Sequence, residues 1–566
     1  MDTIFTLGDL HQFLQIKLLF FVYVSFLLYS VYKRVSYATF LIGTYGLCAL
    51  GYLLLVKGLI LPFWGLKGDE ITIAAMFQSF AHGSLFRDFA YSQLPPFYPS
   101  LFFQIFGFFG RLFDLNGVQI MKLASIFGIA TFSIITYSTQ KLYWQNKKSD
   151  WNNPVIWFIT SLMLPIITGW NEMIMKSYEL FGSVGIILWS IFLIQDLLDH
   201  TLTKKKYLIY GLSGGVLFML FYFWFFLAAI GISIFFLINR EYRGVSKYIK
   251  LSIVAALVLV FGSPFWLPLS NSYKQFGSEN WQLGFFIIDW IKTFAPMFVV
   301  SVQGVFLGIG LFALLYFKKD RIVQLCISFF IAGYVWQVMG ITSLLLFFSP
   351  LQESKGLHFF SQVVLVFGAA FGIAYVWDII KEKTEVSAQQ VIGVFAGLLL
   401  APQLLFGTFI DKDEVQQARV RGRTLRPGIE ELVTYLKLVD IQNVTIQSSG
   451  IPELYAFLPV NNFLYFNQHN SHPAAGFSQK YEFLVDLTRQ KDSKAVHDLL
   501  VSNPIDYFVF YKGVQDFYPM YFHLDAFPYK IEEKEILLSK ELFVEPYFST
   551  VYQNSYFIVI RPNYGN

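Results

Sequence analysis

PPFYPSLFFQIFGFFG, residues 95–110, decides how the rest of the chain is arranged. It is apolar enough to suggest a bilayer crossing, but a crossing here would move every later basic loop to the opposite side. Those basic clusters are Lys33–Arg34, Lys141 with Lys147–Lys148, Lys204–Lys206, Arg240 to Lys250, Lys318–Lys319 with Arg321, and Lys381 with Lys383. Basic loops gather on the cytoplasmic face, and these share one face only if 95–110 does not cross. Residues 68–113 therefore read as one long external loop whose apolar pieces lie half-buried in the interface.

The composition demands a membrane. The chain is 55% hydrophobic and 14% charged, with a mean hydropathy of +0.52, far from a soluble globular balance. Apolar runs of bilayer length (~17–25 residues) are expected near 17–33, 37–61, 117–139, 154–169, 180–198, 207–220, 221–239, 250–268, 293–317, 322–348, 357–379 and 391–410. The expectation is a polytopic α-helical membrane protein of about twelve spans, with 207–239 read as either one broken span or two short ones. No basic segment with a small-residue cleavage site precedes the first run, so no cleaved leader is expected. A net charge of +4 gives no argument for nucleic acid. Cys48 and Cys326 lie within apolar runs and read as packing residues.

Residues 411–566 are different material, charged and without a spanning run. GIEELVTYLKLV and YEFLVDLTR have helical periodicity, whereas VTIQSS, NNFLYF, IDYFVFY and SYFIVI read as strands. The expected division is a transmembrane region over 1–410 and an external α/β domain over 411–566.

LKGDEITIAAMF (66–77) places Asp69 and Glu70 side by side in the long external loop. The apolar face that follows predicts a helix over 70–81 lying on the membrane surface. One reading makes Asp69 its cap, since Asp is among the best capping residues and the helix dipole favours a negative charge there. The other is catalytic, and a capped carboxylate is well suited to it because it is held still and kept ionised. The loop continues through His82, Arg87, Asp88 and Tyr91 to a proline pair.

GDEITIAAMFQSF followed by LPPFYPSLFF resembles the first external loop of the GT-C superfamily of membrane glycosyltransferases, enzymes that use polyprenyl-phosphate sugars. More narrowly, SQLPPFYPSLFF and FNQHNSHPAAGFSQKYEFL are similar to the galactan 5-O-arabinofuranosyltransferase family of bacterial cell walls. The resemblance implies a multi-pass enzyme of the bacterial plasma membrane with its C-terminal domain outside. Its partners would be a polyprenyl-phosphate sugar donor (arabinofuranose by resemblance), a glycan acceptor and the lipid bilayer. It points to the first acid after the glycine, Asp69, as the base, with Glu70 beside it. Arg87 and Tyr91 are expected to bind substrate.

Three further places are candidates for substrate binding. GWNEMIMKSYELFGS (169–183) carries Glu172, Lys176 and Glu179, and the resemblance implies a second acid where Glu179 stands. The alternative is a capped, solvated turn. LQESKGLHFF (351–360) puts Lys355 and His358 at the mouth of a span, where the superfamily often has a basic residue near the lipid phosphate. The alternative is a snorkelling Lys355 and a surface His358. NQHNSHPAAGF (467–477) concentrates Asn467, His469 and His472 in a loop. Two histidines three apart look like half of a zinc site, yet no cysteine or nearby acid completes it, so metal is rejected there. No cofactor is called for, with a divalent cation left open. Rival classes are a lipid-linked sugar flippase or transporter and a non-catalytic scaffold for wall assembly.

Overall fold

The computed structural model describes residues 7–63, 65–279, 295–347, 351, 355–381, 387, 391, 419–439, 441, 443–513, 516–526 and 530–564, with only the backbone of Asp9, Asn171, His358, Ala526 and Lys530. The chain is mostly helical. In order come α1 (Leu7–Lys33), α2 (Tyr37–Val56), α3 (Asp69–His82), α4 (Leu101–Leu112), α5 (Gly117–Trp144), α6 (Pro154–Thr168), α7 (Trp170–Met175), α8 (Ser177–Leu198) and α9 (Lys204–Phe221). They are followed by α10 (Phe223–Ile238), α11 (Val245–Phe276), α12 (Val302–Tyr316), α13 (Arg321–Phe347) and α14 (Gln362–Ile380). The C-terminal part adds α15 (Ile429–Leu438), α16 (Pro452–Phe457), α17 (Phe477–Leu487) and α18 (Ser493–Ser502). Its strands are β1 (Thr445–Ser448), β2 (Asn461–Asn462), β3 (Tyr507–Tyr511), β4 (Phe517–Ala526), β5 (Lys530–Ser539), β6 (Phe548–Gln553) and β7 (Phe557–Pro562).

Among the described residues, seven helices are long and apolar enough to cross a membrane. They lie in α1, α2, α5, α8, α11, α13 and the segment Phe359–Ile380. The protein is a polytopic helical membrane protein with a strand-rich C-terminal part. The expected spans at 154–169, 221–239 and 293–317 are the shorter apolar helices α6, α10 and α12, of 15, 16 and 15 residues. The expected 207–239 segment is two helices that stop and restart at Tyr222. The span expected at 391–410 lies outside the described residues, as does the domain boundary placed at 410–411.

The chain divides into two compact units: Met1–Gly58, Lys122–Gly262 and Ile288–Val420 form the first, and Leu59–Met121, Ser263–Ile287 and Arg421–Asn566 the second. In the first unit, hydroxyl and amide side chains start several helices: Ser36 accepts from Thr39 N–H, Asn153 from Val155 N–H and Ser301 from Gly304 N–H. Each satisfies an orphan donor of a first turn. The Tyr45 hydroxyl donates to Leu162 O at 2.5 Å, tying α2 to α6 across apolar surroundings.

The second unit contains a five-stranded sheet in the order β2-β1-β3-β7-β6 and a two-stranded ribbon, β4–β5. The strands β2, β1 and β3 run parallel, and β7 and β6 add antiparallel. Helix α3 belongs to this unit. It was expected on the membrane surface, but residues 70–81 are all buried, because α3 packs against both α4 and α16. Helix α4, the decisive stretch of the sequence, has 12 residues. At ~1.5 Å per residue it spans about 18 Å, too short for a ~30 Å hydrocarbon core. It is two-faced: Phe102, Phe103, Phe106, Gly107 and Gly110 are buried, while Ile105, Phe108, Phe109 and Leu112 are exposed.

Glycine sets how closely α3 and α4 approach. A Cβ added at Gly107 would lie 2.6 Å from Phe80 Cβ and 2.9 Å from the Phe80 carbonyl carbon, so backbone stands in its way. Arg111, one turn further, donates to Ala81 O at 2.8 Å and Gly83 O at 2.6 Å, satisfying carbonyls that the end of α3 leaves open. Gly107→Ala should lower stability by about 1–3 kcal/mol through overpacking. Thermal unfolding of the purified protein checks this: Gly107→Ala should melt lower than wild type, while Phe108→Ala, on the exposed face, should not.

Candidate functional site

In the second unit, α3 begins at Asp69. Gly68 is the cap residue, at φ +55°, and caps through no side-chain hydrogen bond. Asp69 is thus the first helical residue instead of the cap, but it keeps the favourable end of the dipole. The two acids face different surroundings: Asp69 is exposed and Glu70 is buried at 7%.

The loop after α3 folds back on itself. Asp88 Oδ1 accepts from Ala90 N–H at 3.0 Å and Tyr91 N–H at 3.1 Å, and Asp88 N–H donates to Leu94 O at 2.7 Å. Burial pushes the Asp88 carboxyl up to about 7 against the pull of those backbone donors.

The turn presents Tyr91 to the loop after β2, more than 370 residues on. The Tyr91 hydroxyl is 2.7 Å from Ser471 Oγ and accepts from Tyr465 N–H at 3.0 Å. Alongside, Asn462 N–H donates to Ala90 O at 2.8 Å, and Ser92 N–H to Asn461 Oδ1 at 2.9 Å. The two stretches singled out in the sequence, SQLPPFYPSLFF and FNQHNSHPAAGF, are therefore joined in one cluster. Towards the acids the cluster approaches Thr72, three residues after Asp69 on α3, whose hydroxyl neighbours that of Tyr465 with no hydrogen bond between them. Burial holds the Tyr465 hydroxyl well above its ordinary range, and the neighbouring Thr72 hydroxyl draws it down.

His472 is fully buried in this cluster. Its Nδ1 accepts from Ala474 N–H at 2.9 Å, which places the ring proton on Nε2. The ring stands edge-on to Phe97 and Tyr273, with centroids 5.4 and 6.0 Å away. Burial lowers its pKa to about 4, so the imidazole is neutral at physiological pH. Asn467 is buried and its backbone bridges to His523. His469 is engaged by Asp525, Nδ1 to Oδ2 at 2.8 Å. The zinc-like spacing thus serves two different local bonds. Arg87 is exposed. Lys480, which the sequence reading passed over, sits 5.0 Å above the Tyr91 ring and 5.4 Å from that of Phe463. Burial brings its ammonium down to about 8.

The other predicted residues belong to the first unit. Lys355, the expected phosphate cation, donates to Glu179, the expected second acid, with Nζ–Oε2 at 2.5 Å. Their side chains are 10% and 2% exposed, and the rings of Phe359 and Phe221 lie 5.5 and 5.9 Å from the ammonium. Two features hold the pair. Glu179 is in the first turn of α8, and its carbonyl accepts from Trp224 Nε1 at 3.1 Å. Lys355 enters a π-helical turn (Gly356–Ser361) where Gly356 and Gly333 meet backbone to backbone; a Cβ on either would lie 2.5 Å from the other's carbonyl oxygen. Glu172 on α7 and Lys176 at the α7–α8 corner are half-buried. Ser125 secures that corner by donating to Ile174 O at 2.5 Å. The His358 side chain lies outside the described residues.

Among solved structures, the chain is similar to apo ArnT from Cupriavidus metallidurans, with 11% identity, a TM-score of 0.48, and coverage of 90% of this chain and 95% of that one. It is also similar to the arabinofuranosyltransferase AftD from Mycobacteria, with 10% identity, a TM-score of 0.49 and coverage of 94% of this chain. The chain spans 40% of the length of AftD. No family model and no curated protein matches the chain.

Two outcomes follow from this geometry. Lys355→Met leaves the Glu179 carboxylate buried without its cation and should destabilise the protein by ~3–5 kcal/mol. Adding Glu179→Gln should recover much of the loss, read as the melting midpoints of the single and double variants. His472 should make stability pH-dependent. Its folded pKa lies below its unfolded value near 6.5, so its contribution is complete above ~6.5 and is lost as pH falls towards 4. Asp88, with a raised folded pKa, acts in the opposite sense over an overlapping range. The test is therefore the difference between wild type and His472→Asn: the wild type should lose more stability than the variant between pH 6.5 and 4.

Proposed function

We propose that the protein is an inverting glycosyltransferase that moves a sugar from a polyprenyl phosphate to a cell-wall or surface glycan on the outer face of the bacterial plasma membrane. The observation that carries this reading is the junction of the two motif segments, through Tyr91, Ser471 and Tyr465 and through the contact of Phe97 with His472. The sequence resemblance concerns these same segments, and the fold brings them together across most of the chain.

Asp69 is the base. It is exposed, stands at a helix start that favours its ionised form, and is the first residue of a helix that packs against α4 and α16. In the reaction, the acceptor hydroxyl oxygen bonds to C1 of the donor sugar and its proton passes to Asp69. The bond between C1 and the phosphate oxygen breaks, and the electron pair leaves with the polyprenyl phosphate. Attack opposite the leaving group inverts C1, as in the water-activating step of inverting glycosidases. Because phosphate leaves readily, no general acid is required. The growing phosphate charge calls for cationic donors; Lys480 on α17, over the Tyr91 ring, and the exposed Arg87, next to Asp88 in the loop, are the basic side chains assigned to it. The short, two-faced α4, with its exposed Phe108 and Phe109, supports an interfacial placement of residues 68–113, the depth at which a lipid-linked phosphate lies. Arabinofuranose as the transferred sugar rests on the sequence resemblance alone.

Asp69→Asn preserves size and helix-start chemistry but removes the proton acceptor. It should stay folded and lose roughly 10²-fold or more in turnover. The assay is transfer from a labelled polyprenyl-phosphate arabinofuranose to a galactan oligosaccharide. A folded Asp69→Asn protein with wild-type turnover would overturn the assignment. Glu70→Gln, at a buried position, should change stability more than the chemical step.

A further inference from the structure

A recess lies in the second unit on the β4–β5 ribbon, next to the Tyr91 cluster, where His523 N–H donates to Phe466 O at 2.8 Å and its backbone bridges to Asn467. It encloses about 360 Å³, and Arg426, Gly450, Tyr511, Tyr521, His523 and Glu533 contribute to its lining. This volume is at the lower end of small-ligand pockets (~300–1,000 Å³).

The ribbon β4–β5 forms one wall. Alternation along β4 sends Tyr521 and His523 to the same face, and their cross-strand partners are Glu535 and Glu533. Tyr521 is 42% exposed, and its ring centroid lies 6.2 Å from that of Tyr511 on β3 at an interplanar angle of 63°. The two rings meet edge to face as a bent apolar wall. Arg426 fixes Tyr511 by donating to its hydroxyl and stacking 5.4 Å from its ring. The guanidinium is gripped in turn by both oxygens of Glu453, whose side chain is 6% exposed. Gly450 keeps the recess open. It has φ +76°, and a Cβ there would lie 2.7 Å from Tyr521 O.

The charges choose the ligand. Arg426 is neutralised by Glu453, and Glu533 adds another negative charge, so an anion gains little here. A nonpolar molecule would cover the His523 and Glu533 side chains without offering either a hydrogen-bond partner. What suits both the ring wall and the polar rim is a neutral ring with a C–H face and outward hydroxyls. Tyrosine provides such contact area at low entropic cost.

We propose that this recess is a binding subsite for a neutral glycan, with one sugar ring against Tyr521 and Tyr511 and its hydroxyls bonded to Arg426, His523 and Glu533. The choice of a galactan oligosaccharide as probe rests on the transfer reaction proposed above, but binding at the recess is read without turnover. The full-length protein in detergent is titrated with a neutral galactan oligosaccharide and followed by saturation-transfer NMR. Wild type and Asp69→Asn should both bind saturably, and inorganic phosphate should not displace the sugar. Tyr521→Ala should weaken binding by roughly tenfold or more with an unchanged melting midpoint, and Glu533→Gln should weaken it less. Absent binding in the wild type, displacement by phosphate, or wild-type affinity in a folded Tyr521→Ala protein would overturn the proposal. Loss of transfer alone, with binding intact, would count against the catalytic reading and leave this subsite standing.

Discussion

The hydroxyl of Tyr91 is the joint on which the second unit depends. This unit is assembled from chain segments separated by hundreds of residues, so its core closes only if the loop after α3 is fixed to the strands near the C-terminus. Tyr91 does so by taking the Tyr465 N–H and meeting Ser471 Oγ, inside a region where an unpaired polar group costs about 1–3 kcal/mol. The neighbouring bonds to Ala90 O and from Ser92 N–H work in the same direction. They are directional, so they specify a register that apolar burial alone does not. The Asp88 turn, one step before Tyr91, prearranges the chain for this contact and reduces the entropy to be lost on closing a very long loop.

The first unit solves a different problem, that of holding ionised groups among aromatic rings. Lys355 and Glu179 come from segments far apart in sequence, and each has its position set by backbone features: a helix start for Glu179, a glycine–glycine contact and a π-helical turn for Lys355. Desolvation makes such a pair weak evidence for stability as a whole, while making the loss of one partner expensive. The pair therefore acts more as a constraint on geometry than as a source of stability. It fixes the corner of α8 relative to the turn that precedes α14, and with it the half-buried Lys176 and Glu172 nearby in the chain.

Much of this was legible in the sequence because periodicity and length report on helices directly. The long runs reappear as α1, α2, α5, α8, α11 and α13, and the amphipathic 101–112 stretch is too short to cross. Of the expected strands, NNFLYF is one only at Asn461–Asn462, and β6 has no counterpart among them, while β1, β3 and β7 were visible from their β-branched and aromatic runs. The ribbon β4–β5 was not. Pro519 interrupts one strand, which argues against a strand in a sequence reading, and the charges of KIEEKEILLS mask alternation in the other. The burial of α3 was also hidden, since its apolar face suits a membrane surface as well as a protein core; only its contact with α4 and α16 decides between them. At the candidate site, Tyr91 and His472 were found from their motifs. Lys480, Ser471 and Asp525 were missed because their partners are remote in sequence. The pairing of Lys355 with Glu179 was invisible for the same reason, although both residues had been picked out.

The two adjacent acids show how far a fold can separate the surroundings of neighbouring, chemically similar side chains. On a helix, consecutive residues point about 100° apart, so a helix buried between two partners cannot leave both carboxylates in the same surroundings. Glu70 turns inward, and a Cβ on Gly68 would lie 3.9 Å from its Oε2, so its carboxylate folds back near the start of the helix. Asp69 remains outside. The base proposed at Asp69 would have to be reachable and to hold still, and these demands conflict for most exposed side chains. Here the short Asp side chain leaves only two rotatable bonds, its backbone is the first residue of a buried helix, and Gly68 supplies the positive φ that lets the chain turn into that helix. The packing of α3 against α4, made close by Gly107, is thus part of what orders the acid, even though the contact, at Phe80, is far from Asp69 along α3.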